Sequence, residues 1–157
     1  MSEMPAAAPM AREKRILVVE DDDAIRALLM TVLRRRGMKA DCCSNGATAL
    51  ERLSQCVYSI ILLDLMMPVM TGYEVLERMQ AMKLANRPMA IVLTAGGTPK
   101  NLPPDLVAGM IRKPFDVTLL LDTVSACLAA QNDPEQSDNC PVADSEGDSF
   151  ERRNEPN

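Results

Sequence analysis

The stretch IILLDLMMP, Ile60–Pro68, decides how the rest of the chain is read. Four apolar residues, Ile60 to Leu63, form a run of the length and composition of a fully buried strand. The run then ends on an acid, Asp64, before Leu-Met-Met-Pro. An ionised carboxylate at the end of a buried strand is costly unless something partners it. Asp64 is therefore either a turn residue or a group held in place for chemistry, and the stretch alone leaves both readings open.

Working outward, the same pattern recurs. Ile16–Val19 is a short β-branched run that ends in Glu20, Asp21, Asp22 and Asp23. Ile25, Leu28, Leu29, Val32 and Leu33 follow at helical spacing, with Arg34–Arg36 on the last turn and Gly37 as the stop. Met38–Cys43 reads as a strand, 44–46 as a turn and Ala47–Ser54 as a short helix. Ser59–Leu63 is the most apolar strand. Gly72 opens a helix to about Met82, with Val75, Leu76 and Met79 on its inner face. Met89–Thr94 is a strand introduced by Pro88. A Gly/Pro-rich segment, GGTPKNLPPDLVAG, leads to a short strand at Met110–Arg112. Asp116 caps a last helix with Leu119, Leu120, Val124 and Leu128 on one face. Strands alternating with helices predict an α/β domain with a doubly wound parallel sheet.

The chain of 157 residues is 47% hydrophobic but has no Trp, two Phe and two Tyr, so its core must be aliphatic and Met-rich. Residues 131–157 hold eight acids and two Arg, and the remaining 130 residues carry a net charge of only +1. This divides the chain into a disordered leader (1–13), one folded domain (14–130) and an acidic disordered tail (131–157) too polar for a DNA-binding output domain. The near-neutral charge of residues 1–130 does not suggest a nucleic-acid footprint, and no apolar run has membrane-spanning or signal-peptide character, which predicts a cytoplasmic protein. Five Cys without a C-x-x-C pair, and no His, argue against zinc and for reduced thiols. A chain without His also has no phosphorylated or catalytic histidine of its own.

In a parallel sheet the site lies beyond the carboxyl ends of the strands. Glu20 and Asp21, Asp64, Thr94 and Lys113 each follow or end a strand, so all fall on one edge. Any one of them has an ordinary explanation. The acids after the first strand suit a helix N-terminus, to which Asp22 and Asp23 are assigned; Lys-Pro often precedes a helix; Thr94 alone says little. Together, three carboxylates in one cleft require a cation. Oxygen ligands alone favour Mg²⁺, with Mn²⁺ as the alternative. A metal and a lysine beside a carboxylate match phosphoryl transfer, with the carboxylate as nucleophile.

The motifs ILVVEDDDAIRALL, IILLDLMMPVMTGYEVL, IVLTA and IRKPFD, in this order over residues 14–130, resemble the receiver domain of bacterial two-component response regulators. The most specific is the second, with Met-Pro after the Asp and a Gly eight residues beyond it. The resemblance implies a five-stranded, flavodoxin-like sheet of order 2-1-3-4-5. It implies Asp64 as phosphoacceptor, Asp21 as a direct metal ligand, Glu20 as an acid acting on the metal, and the backbone carbonyl of Met66 as a further ligand. It implies Thr94 and Ala95 at the phosphoryl-binding switch, Lys113 as partner first of Asp64 and then of phosphate, a cis peptide before Pro114, and Gly72 for the turn before the third helix.

Three departures stand out. The position three before the lysine, often Tyr or Phe in the family, is Met110, a degenerate switch position. The Thr94–Lys113 stretch is short and holds Pro99, Pro103 and Pro104, so the fourth helix is expected to be short, displaced or missing. The acidic pair is Glu-Asp rather than Asp-Asp. The resemblance implies a single-domain response regulator, monomeric or weakly dimeric, that takes phosphate from a histidine kinase or histidine phosphotransfer protein and signals to a downstream protein target. It is a phosphoacceptor that assists its own phosphorylation and dephosphorylation rather than an enzyme acting on other substrates. The competing reading is a degenerate receiver serving as a phosphorylation-independent interaction module. A third, an aspartate-nucleophile phosphatase, normally needs an acid two residues after the nucleophile, where this chain has Met66.

Overall fold

The structure, a computed structural model, describes residues 14–83 and 87–131. Arg15–Val19 (β1), Lys39–Cys43 (β2), Ile60–Asp64 (β3), Met89–Thr94 (β4) and Val107–Arg112 (β5) form one sheet of order β2-β1-β3-β4-β5. Every adjacent pair is parallel. Asp23–Arg35 (α1), Gly46–Gln55 (α2), Gly72–Gln80 (α3) and Val117–Ala130 (α4) cover it. Both the α/β class and the strand order agree with the sequence. The expected leader and most of the expected tail lie outside the described residues.

The two-residue period of the strands distributes the core. Leu17, Val19, Ile61, Leu63, Ala90 and Val92 point to the face covered by α2 and α3, where Leu53, Val75, Leu76 and Met79 meet them. Ile16, Val18, Ile60, Leu62, Ile91 and Leu93 point to the other face, against Leu29, Leu33, Leu120 and Val124 of α1 and α4. Because β1, β3 and β4 are covered on both sides, they read as unbroken apolar runs.

The helices start where short polar side chains satisfy their first N–H groups. Asp22 caps α1 by accepting from Ile25 N at 2.9 Å, Asn45 caps α2 through Thr48 N at 2.8 Å, and Asp116 caps α4 through Thr118 N at 2.8 Å. Thr71 caps α3, so Gly72 is its first residue.

The segment between β4 and β5 contains no helix. Its apolar residues still reach the core: Leu106 is fully buried and Leu102 packs against the same cluster. A turn in which Leu106 N and Val107 N both donate to Pro103 O then delivers the chain to β5. β5 begins at Val107, three residues before the expected strand. An irregularity between Ala90 and Ile91 allows this, pairing Ala90 with Val107 and Ile91 with Gly109. With no helix above it, Met110 is 48% exposed.

At the edge where the strands begin, Tyr58 donates from its hydroxyl to Asp41 Oδ2 at 2.7 Å, and Arg15 lies 3.4 Å from the same atom. Burial and the Asp41 carboxylate both push the Tyr58 hydroxyl well above its usual pKa. Cys42, Cys43 and Cys127 carry reduced thiols. Cys56 is disulfide-bonded, which corrects the expectation for that residue; the sequence alone does not reveal which thiols a fold brings together. Cys140 lies outside the described residues.

The loop after β3 holds a strained residue. Val69 has φ of 70° and is fully exposed, and Met70 N donates to Pro68 O at 2.8 Å around it. This is the γ-turn of the rarer, strained hand, occupied by a β-branched residue that strongly disfavours it. Its side chain makes no buried contact that would be lost on replacement. Val69→Asn is expected to raise unfolding free energy by roughly 1 kcal/mol, since Asn tolerates this conformation. Val69→Gly gains less, because glycine also frees the unfolded chain. Urea denaturation of the three proteins measures both; a loss of stability in the Asn variant would contradict the assignment of strain.

Candidate functional site

The parallel sheet brings the ends of β1, β3, β4 and β5 to one edge, and three acids meet there. Carboxylate oxygens of Glu20, Asp21 and Asp64 all lie within 4.8 Å of one another. Glu20 and Asp64 are buried, whereas Asp21 is exposed. Glu20 is fixed by its backbone N–H donating to Cys43 O at 3.2 Å, and its Oε2 accepts from Asp22 N at 3.1 Å. Asp64 Oδ1 accepts from Met66 N at 3.0 Å. The acidic turn thus divides its labour as expected: Glu20 and Asp21 face the cleft, while Asp22 and Asp23 serve α1.

Lys113 supplies the counter-charge. Its Nζ lies 2.7 Å from Glu20 Oε1 and 3.2 Å from Asp64 Oδ2. Its backbone N–H donates to Thr94 O at 2.7 Å, tying the end of β5 to the end of β4. Apart from its ion pair with Lys113, Glu20 Oε1 is a buried oxygen with no hydrogen-bond partner among the described residues. Burial, chiefly, and the Asp64 charge push the Glu20 carboxyl up to about 7, against the pull of Lys113. Burial alone would lower Lys113, but Glu20 and Asp64 outweigh it and hold it above its ordinary value. One ammonium among three carboxylates leaves the cluster short of positive charge. An incompletely partnered buried oxygen next to two further carboxylates is the donor set that suits a hard divalent cation.

Thr94 is buried at the last position of β4, and Ala95 follows it on the surface. Lys113–Pro114 is a cis peptide, as the resemblance implied. Met66 has an exposed side chain beside Asp64. Met110 is not part of the cluster: it lies on β5 opposite Val92, two residue pairs before Thr94 and Arg112. Gly72 is required at the start of α3 by lack of space. Its φ is not positive; instead, a Cβ there would stand 2.4 Å from Asp64 O and 2.7 Å from Leu65 Cα. Gly72 lets α3 start against the backbone that carries the acid, and its N–H donates to Leu65 O at 3.1 Å.

Arg26 escaped sequence reasoning. It donates to Glu20 O at 2.9 Å and pairs with Asp23, holding the acidic turn against α1. The only sequence signal was the i,i+3 spacing of Asp23 and Arg26, which recurs on many solvated helix faces.

A doubly wound sheet of this order, with an acidic cluster and a lysine at its carboxyl edge, is the architecture of a receiver domain. The response regulator receiver domain family matches residues 16–125, and the chain belongs to that family. It is 33% identical over 120 residues to the transcriptional regulatory protein YkoG of Bacillus subtilis, covering 72% of this chain and 50% of that protein. It is 32% identical over 121 residues to the response regulator receiver protein CpdR of Brucella abortus, covering 74% of this chain and 98% of CpdR. The chain spans about half or less of the length of several relatives it matches, YkoG and the regulatory protein AtoC of Escherichia coli among them. Among solved structures, the chemotaxis response regulator CheY4 of Vibrio cholerae superposes with a TM-score of 0.66 at 26% identity, over 73% of this chain and 98% of that one. A CheY-like receiver domain protein from Methanospirillum hungatei gives 0.67 at 24% identity, over 74% and 95% respectively, and supports the fold.

Two outcomes follow from the geometry. Gly72→Ala is expected to cost about 3 kcal/mol, at the upper end for an overpacked site because the obstacle is backbone. A thermal-melting shift of less than a degree would show that the approach is not tight. For Glu20, the folded pKa of about 7 exceeds the ordinary 4.5. The native state therefore binds more protons than the unfolded state between these values. In metal-free buffer this group's contribution to stability is greatest below pH 4.5, falls as pH rises, and is fully lost above about 7. Glu20→Gln is expected to remove that decline, so its stability relative to wild type should rise from pH 5 to pH 8. A pH-independent difference in denaturation midpoints would refute the buried-carboxylate account.

Proposed function

We propose that this chain is a phosphoacceptor in a two-component or phosphorelay pathway, receiving a phosphoryl group on Asp64 from a histidine kinase or histidine phosphotransfer protein. The observation that carries this reading is the convergence of Glu20, Asp21, Asp64 and Lys113, from three separate parts of the chain, onto one edge of the sheet. Asp64 is the buried acid whose Oδ1 is held by a backbone N–H and whose Oδ2 faces the lysine. In the transfer, an Asp64 oxygen bonds to phosphorus as the phosphorus–nitrogen bond to the donor's imidazole breaks. The donor keeps that nitrogen's electron pair.

Glu20, Asp21 and Asp64, with the Met66 carbonyl, would hold Mg²⁺, which offsets the charge gathered on the phosphoryl oxygens. Lys113 would exchange its contact with the Asp64 carboxylate for one with the new phosphoryl group. Thr94 and Ala95 would bind that group from the end of β4. Because no helix lies between β4 and β5, the altered state is read from the 95–106 segment and the uncovered side of β5, with Met110 in the usual aromatic position. Output is contact with a downstream protein by a monomer or weak dimer in the cytoplasm, and the domain assists both the gain and the loss of its own phosphate.

Intact-mass measurement after incubation with Mg²⁺ and a small phosphodonor tests the proposal. One phosphoryl group is expected on wild type, none on Asp64→Ala, and at least a tenfold slower gain when EDTA replaces Mg²⁺. Equal labelling of wild type and Asp64→Ala would overturn the assignment of Asp64. No labelling of either, even with phosphorylated histidine donor proteins, would favour the phosphorylation-independent module.

A further inference from the structure

The sheet edge opposite the acidic cluster is basic. Lys14 and Arg15 stand at the start of β1, Lys39 opens β2 beside Arg15, and Arg34, Arg35 and Arg36 close α1. Arg34, Arg35, Arg36 and Lys39 are exposed. The carboxylates nearby are few. Asp41 is buried and held by Arg15 and Tyr58. Asp122 of α4 pairs with Arg36 at 3.4 Å. Among the described residues, no acid pairs with Arg34 or Arg35. The α1 dipole favours cations at this end, but it does not account for Lys39 and Lys14 gathering there from other elements.

The end of α4 is fastened to the same pole. Lys14 donates to Leu128 O and to Gln131 O, and Gln131 Nε2 donates to Ser59 O at 2.9 Å. The chain continues from this point into residues 132–157, which hold eight Asp/Glu and two Arg, a net charge of −6. The separation is short. Asp122, the partner of Arg36, precedes Gln131 by nine residues of α4, about 13 Å at the helical rise. In reducing buffer, where the Cys56 disulfide is open, a chain of 26 residues spans roughly 28 Å. An acidic segment tethered so near a basic surface is present there at an effective concentration of about millimolar or above.

We propose that the segment 132–157 docks back onto the basic pole formed by Arg34, Arg35 and Arg36. It acts as an intramolecular acidic ligand, and any acidic partner protein must displace it to reach that surface. The contact is electrostatic, lies at the opposite edge from Asp64, and does not depend on phosphorylation.

Salt gives a test whose sign distinguishes docking from a free segment. A docked segment is released as salt screens its contacts, so the molecule expands. A free acidic segment repels itself and contracts when screened. Small-angle X-ray scattering of the full chain, in reducing buffer and extrapolated to zero concentration, is to be compared at 20 mM and 500 mM NaCl. Wild type is expected to show a larger radius of gyration at high salt. The Arg34→Gln, Arg35→Gln, Arg36→Gln variant should be larger than wild type at low salt and contract as salt is added. Should that variant fail to fold, Asp144→Asn, Glu146→Gln, Asp148→Asn weakens the same contact from the other side and should likewise lose the salt-driven expansion. Contraction of wild type on adding salt would overturn the proposal, as would equal radii for wild type and both variants at low salt.

Discussion

The carboxyl edge of the sheet depends on one ammonium group. Glu20 and Asp64 are both buried, and like charges at such a separation would normally drive one of them to protonate or the strand ends apart. Lys113 lies between them and reaches both. It partly offsets their repulsion, while burial, chiefly, still holds the Glu20 carboxyl above its ordinary value. The cluster is therefore held together and yet remains short of positive charge, which is what a cation site needs. Removing a partner from a buried ion pair is among the most destabilising changes available to a protein, so the position of Lys113 constrains both the fold and the chemistry.

That position is set by the sheet. Lys113 follows β5, its backbone is tied to Thr94 at the end of β4, and β4 is in register with β3, which delivers Asp64. The apolar residues on both faces fix the register, because a one-residue slip would turn every core side chain to the wrong side. Gly72 adds a local condition: α3 starts so close to the Asp64 backbone that no side chain fits between them. The acids do not find one another by local sequence; the aliphatic core aligns the strands on which they end.

Much of this was legible in the sequence because buried strands and capped helices leave strong local signals. β4 was read to the residue, the Asp116 cap was placed correctly, and Asp22 and Asp23 were assigned to the start of α1. β5 was read three residues late. Its first half holds Ala108 and Gly109, which carry no strand pattern, and it follows a proline-rich stretch. Its pairing rests on an irregularity in the ladder, which only the neighbouring strand reveals. The site's acids and its lysine were legible as strand ends, but Arg26 was not, since its role depends on a backbone carbonyl in three dimensions. The need for glycine at position 72 was visible, while the close approach of the Asp64 backbone that causes it was not.

The helix-free connection before β5 also bears on edge-to-edge pairing with other chains. β5 is an edge strand, and an uncovered edge of regular geometry invites pairing with another chain. Here the edge is a poor template. The ladder beside it is broken between Ala90 and Ile91, Gly109 lies near its middle, exposed Arg112 ends it, and Pro103 and Pro104 shortly precede it. Losing a covering helix would ordinarily raise the risk of fibrillar association; the irregularities of β5 offset that risk and let the domain present an open sheet surface to solvent.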